Sequence, residues 1–188
     1  DQVYSAVDES GLRAIIGYEA SERRTRAQGA RGIKENTRFL KNLQKGNLQS
    51  DRIGGILPLG SSFIVSDELL KHGKRVSERF DVPLLLSATK GKVGLYHDLK
   101  EHGKRTVERY RDVGVLSENT VLSHCNHINE QEISMLNKFG TNISHKPLTA
   151  MRNGTGIAPI EMIRESGIAT GLGKDSMMGD FFENIRSF

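Results

Sequence analysis

Apolar positions along this chain fall into two alternating kinds of stretch: short, nearly continuous runs and longer runs with a helical stripe. "LRAIIGY" (Leu12 to Tyr18) and "IGGIL" (Ile53 to Leu57) have the length of buried strands. "PLLLSA" (Pro83 to Ala88), "TVLSH" (Thr120 to His124), "TNISH" (Thr141 to His145) and "IATGLG" (Ile168 to Gly173) bring the count to six. The stretches between them are amphipathic. "GIKENTRFLKNL" places Ile33, Thr37, Leu40 and Leu43 near one helix face, and "SDELLKHGKRVSERF" opens on a Ser66 or Asp67 cap. "HDLKEHGKRTVERYRDV" (His97 to Val113) reads as a single helix. "NEQEISMLNKF" follows with Asn129 as its cap, and "APIEMIRESG" and "GDFFENIRSF" complete the set. "KHGKRVSERF" (Lys71 to Phe80) recurs thirty residues later as "EHGKRTVERY" (Glu101 to Tyr110), as expected of helices in equivalent units.

Strands alternating with helices over short connections imply a parallel sheet with right-handed crossovers. Neither a GxGxxG after the first strand nor a Walker loop is present, which disfavours a nucleotide-binding open sheet. A (β/α) barrel normally needs eight units and about 250 residues. Six strands in 188 residues leave a choice between a doubly wound open sheet and a barrel; if a barrel, the single domain, 1–188, is short by two βα units. Such a fragment leaves exposed sheet edges. It predicts either a homo-oligomer or a longer chain that completes the barrel.

Composition narrows the partners. Net charge is +4 with a pI near 9.2, but the basic residues are interleaved with Asp and Glu. Only "ERRTR" (Glu22 to Arg26) is dense, and no aromatics are interleaved to stack on bases, so nucleic acid is not expected. No run reaches membrane-spanning length, no signal-peptide core opens the chain, and the single cysteine, Cys125, rules out an internal disulfide framework. A cytoplasmic protein without a membrane partner is the expectation.

In parallel barrels chemistry sits at the C-terminal strand ends. That rule selects Tyr18 and Glu19, Leu59 and Gly60, Ser87 to Lys90, His124, His145 and Asp175. "VLSHCNH" packs His124, Cys125 and His127 into four positions, a spacing that could chelate zinc. A closed zinc site needs four ligands, however, and no second Cys/His pair follows. His124 is therefore read as a strand-end residue, with Cys125 as packing.

Three blocks carry a family resemblance: "SGLRAIIGYEASER" with "GIKENTRFL", "VLSHCNHINEQEISMLNKFGTNISHKP", and "GLGKDSMMGDFFENIRSF". Together they resemble the metal-dependent amidohydrolase superfamily, in its branch of aminohydrolases, chlorohydrolases and deaminases. The resemblance implies a TIM-like barrel of which strands three to eight are present. It also implies a divalent metal, zinc or iron, whose bound hydroxide attacks a C–N bond of an aminated heterocycle. Carried over by position, His124 orients water or substrate, His145 binds substrate, and Asp175 is the metal ligand and catalytic carboxylate.

Other positions depart from the family. Ser87-Ala88-Thr89-Lys90 stands where H-x-x-E is expected, Gly60-Ser61-Ser62 where His-Ala-Pro is expected, and Thr149-Ala150 where Ser-Asn is expected. Serine is a poor metal ligand, and a lysine cannot replace a proton-shuttling carboxylate. The residues thus leave two readings: a diverged C–N hydrolase binding a small molecule, or a catalytically silent homologue acting as scaffold or subunit without metal. Lys90, close to where the metal is implied, is expected either to pair with Asp175 as counter-charge or to extend into solvent.

Overall fold

The computed structural model describes residues 2–46, 48, 50–175 and 181–187. Cα packing divides the chain into two units, residues 1–60 with 64–85 and residues 61–63 with 86–188.

The first unit begins with helix α1 (Gln2–Glu9), strand β1 (Ala14–Ile16) and helix α2 (Arg26–Gln44). Strands β2 (Ile53–Gly55) and β3 (Leu57–Ser61) follow, then helix α3 (Asp67–Phe80) and the start of β4 (Leu84–Ala88). β1 and β2 pair in parallel, with Ala14 opposite Ile53 and Ile16 opposite Gly55. Thr25 caps α2 by accepting from the Gln28 N–H, and Ile33, Asn36, Phe39 and Leu40 form its buried face. Asn36 is buried because it does backbone work: its amide bonds both the N–H and the carbonyl of Tyr18. Ser66 caps α3, one of the two residues named by the sequence, over buried Leu69, Leu70, Val76 and Phe80.

Two strand expectations are corrected here. Only three residues of "LRAIIGY" form β1, and "IGGIL" is not one strand. At Ile56 the chain changes partner: the Ile56 N–H donates to the Ile16 carbonyl, whereas that of Leu57 donates to Pro83. The hydrogen-bond ladder breaks there, and burial lapses over Gly54 to Ile56 before returning at Leu57, so β2 and β3 are separate strands. Gly60, at the β3 end, donates its N–H to the Ala20 carbonyl at 3.0 Å.

The second unit contains the last residues of β4, helices α4 (Lys92–His102) and α5 (Thr106–Val113), strand β5 (Thr120–His124) and helix α6 (Glu130–Lys138). Then come β6 (Asn142–His145), α7 (Pro147–Asn153), α8 (Ile160–Glu165), β7 (Thr170–Leu172) and α9 (Phe181–Arg186). β5 and β6 are parallel with Leu122 opposite Ile143, as are β6 and β7 with His145 opposite Leu172. β4 is divided between the units, and in the second unit the hydrogen-bonded order is β4-β5-β6-β7. The parallel α/β class and partial-barrel pattern expected from the sequence are what is found.

The long helix expected from His97 to Val113 is two helices. Gly103 adopts φ +64°, a left-handed cap that ends α4, and α5 begins at Thr106. In the matching stretch of α3, Gly73 is helix interior and packs against Leu59. The stretch between β6 and the helix expected at "APIEMIRESG" holds an additional helix, α7, opened by Pro147 at its first turn. Asn129 caps α6 as expected, in a reciprocal box with Glu132.

Candidate functional site

Three strands of the second unit deliver polar residues at their C-terminal ends. β5 ends on His124 and β6 on His145, both buried at 4% exposure, and Asp175 lies three residues past β7. β5 stops there for a local reason. His124 and Cys125 both have left-handed backbone, at φ 75° and 57°, which costs non-glycine residues about 1–3 kcal/mol each. The Cys125 N–H donates to the Ala88 carbonyl at 2.9 Å and holds the turn against the end of β4. Strain at the end of a strand that carries a buried imidazole is the pattern expected of a functional position.

Lysines dominate the electrostatics. Lys90 Nζ lies 2.9 Å from Asp175 Oδ2, the first of the two places the sequence left open for it, and Lys146 Nζ lies 2.8 Å from Oδ1. The Asp175 N–H donates to Thr149 Oγ1 at 3.2 Å, so α7 positions this carboxylate as well. Burial pushes the Asp175 carboxyl upward, but the bonds from Lys146 and Lys90 outweigh it and bring the pKa to about 2. Desolvation, reinforced by the positive charge of Lys146, lowers His124 to about 4. His124 is therefore a neutral imidazole at pH 7, and its buried Nδ1 has no hydrogen-bond partner. Burial also lowers the His145 pKa.

The remaining candidates take structural places. His127 Nε2 lies 2.7 Å from the Thr155 carbonyl, and its own N–H points to Thr89 Oγ1. Cys125 is fully buried, with desolvation raising its thiol pKa. "HCNH" is thus one strand-end histidine followed by packed turn residues. The Ser87 carbonyl accepts from the buried Tyr110 hydroxyl. Ala150 is a buried residue of α7 whose carbonyl accepts from the Thr155 N–H. Tyr18, Glu19, Leu59 and Gly60 belong to the first unit.

Sequence reasoning missed Lys146, Asn126 and Asn184. Asn126 donates to the Lys90 carbonyl at 2.9 Å, and Asn184 of α9 donates to the Gly173 carbonyl at 3.0 Å. Lys146 follows a strand-end histidine directly, so extending the strand-end rule by one residue would have found it.

A divalent cation at Asp175 does not fit these side chains. Both carboxylate oxygens already accept from ammonium groups. Among the described residues, no three His, Cys, Asp or Glu are grouped to hold a metal ion.

A parallel α/β chain with polar residues at and just past successive strand ends has the layout of a (β/α) barrel, whose chemistry gathers at those ends. The chain belongs to the amidohydrolase family, whose sequence profile matches residues 2–188. It is similar to a 5'-deoxyadenosine deaminase of Methanopyrus kandleri, 27% identical over 99% of this chain and 43% of that protein. It is also similar to a 5-methylthioadenosine/S-adenosylhomocysteine deaminase of Halobacterium salinarum, 29% identical over 98% of this chain and 44% of that protein. The chain thus spans less than half the length of these relatives. In fold it resembles a zinc-bound adenosine deaminase from Xanthomonas campestris, with TM-score 0.89 and 15% identity over 98% of this chain and 42% of that one. A guanine deaminase from C. acetobutylicum with bound guanine matches at TM-score 0.84 and 19% identity, over 99% and 46%.

Proposed function

We propose that the chain forms part of a diverged C–N hydrolase that deaminates an aminated heterocycle at the ends of β5, β6 and β7. One observation carries this reading: His124 sits on a strained strand end, neutral at pH 7, with its Nδ1 buried and unpartnered. A neutral imidazole of this kind offers one ring N–H and one ring lone pair, which together orient a water or the substrate. Asp175 bonds Lys90 and Lys146, and His145 ends the neighbouring strand. The deaminase names of the relatives support the reaction class. Zinc or iron, implied by the resemblance, is not part of the proposal, because Asp175 is already paired.

The same pairing favours a second reading, a catalytically silent homologue serving as scaffold or subunit. Ammonia release from a panel of aminated purines and their nucleosides separates the two. The hydrolase reading expects turnover that falls at least a hundredfold in His124→Asn. No turnover of any panel member would leave the silent reading.

A small-molecule ligand, a cytoplasmic location and a barrel completed by a second copy or a longer polypeptide belong to this proposal. Among the described residues no helix is long and apolar enough to cross a membrane. Light scattering on the purified chain measures its oligomeric state.

A further inference from the structure

We infer that the strand-end cluster of this chain is an oxyanion site: Lys90 and Lys146 clamp Asp175 and together receive the phosphate or carboxylate of a ligand, where the family resemblance implies a cation. Charge is the first argument. Two ammonium groups face one carboxylate, at 2.9 and 2.8 Å, which leaves one positive charge over. Both lysines and Asp175 act on His124, as does the neighbouring His145, and Lys146 acts most strongly among them. A surplus positive charge repels a divalent cation and attracts an anion.

Hydrogen-bonding capacity is the second argument. Each ammonium carries three N–H donors, and Asp175 takes one from each. The lysine side chains remain accessible, Lys90 at 40% and Lys146 at 17% exposure. Their spacing is fixed by the shared carboxylate, so two donors are pre-positioned for two oxygens of one ligand group. The buried Nδ1 of His124, an imidazole that feels the charge of both lysines, has no partner, and in its N–H tautomer it would add a further donor for a ligand oxygen. Asp175 then acts as a spacer, keeping the lysines in place and their surplus charge small.

This deepens the proposed function by giving its ligand an anionic group. It rests on the location of that site but not on turnover there. The test titrates the purified chain separately with sodium phosphate, sodium acetate and zinc chloride, following heat and the unfolding temperature. Saturable binding of phosphate or acetate is expected, and whichever saturates identifies the group. Lys90→Met/Lys146→Met should weaken that binding at least tenfold. Asp175→Asn, which removes the competing carboxylate and leaves the lysine charge unbalanced, should tighten it severalfold. Circular dichroism checks that each variant is folded, and Asp175→Asn alone still decides the matter if the double variant is not. The inference is overturned if neither anion saturates, if binding is indifferent to both sets of substitutions, or if one zinc per chain binds and Asp175→Asn abolishes it. Phosphate binding without ammonia release from any heterocycle would keep the inference and discard the hydrolase reading. Ammonia release without anion binding would do the reverse.

Discussion

The second unit has two charged regions built from similar residues and finished differently. Between α4, α5 and α6, Asp98 accepts from Thr106 on one oxygen and Arg109 on the other, and Arg109 also donates to the Ser62 carbonyl. Glu132 accepts from Arg105 at 2.7 Å, from the Val107 N–H and from its own cap residue, Asn129. Asp98 and Glu132 are fully buried, and every carboxylate oxygen is bonded. At the strand ends Asp175 is also bonded on both oxygens, but it is itself 29% exposed and its partners are lysines with N–H donors to spare. An unpartnered imidazole Nδ1 occurs in both regions, that of His97 near Asp98 and that of His124 at the strand end. Closed pairing fits a structural role. Surplus N–H donors around a partly exposed carboxylate, next to a strained turn, fit a ligand site.

Substitutions should break this contrast in order of burial. Arg109→Met strands the buried Asp98 carboxylate and should cost about 3–5 kcal/mol in urea unfolding, with most of it recovered when Asp98→Leu is added. Acid comes next. His124 has its pKa depressed from 6.5 to about 4, so below pH 6.5 the unfolded chain takes up a proton that the folded one refuses. Stability is therefore full above pH 6.5 and falls as pH drops toward 4, by up to about 3 kcal/mol, and His124→Asn should flatten that slope. His145, shifted in the same direction, adds to it. The contribution of Asp175 is present above its ordinary value of 3.8 and is lost lower, as pH falls toward 2.

Smaller effects belong to the lysines. Lys146→Met should cost about 1 kcal/mol, and the more exposed Lys90→Met less, by the same unfolding measurement. Cys125, buried with its thiol pKa raised, should leave stability untouched while staying unreactive toward a chromogenic disulfide reagent until the chain unfolds.

The sequence made β5, β6 and α6 legible because local signals agreed there: a compact apolar run, a polar terminus and the Asn129–Glu132 cap. Pairing of Lys90 with Asp175 was readable as one of two alternatives because both fell at strand ends. Lys146 was passed over because the list stopped at His145, one residue short. The break at Gly103 could not be read, since the same "HGKR" continues through α3. What separates the two is tertiary: Gly73 abuts Leu59, while Thr106 and Arg105, just past Gly103, are drawn to Asp98 and Glu132. The partner switch at Ile56 was hidden for a related reason, because an unbroken apolar run records burial and not which strand is bonded.

Diffraction from zinc-soaked crystals, recorded above and below the zinc absorption edge, tests the central claim most directly. The account expects no anomalous peak at Asp175, with both lysine nitrogens still within hydrogen-bond distance of its oxygens. A zinc peak bonded to Asp175, with Lys90 and Lys146 displaced, would contradict it.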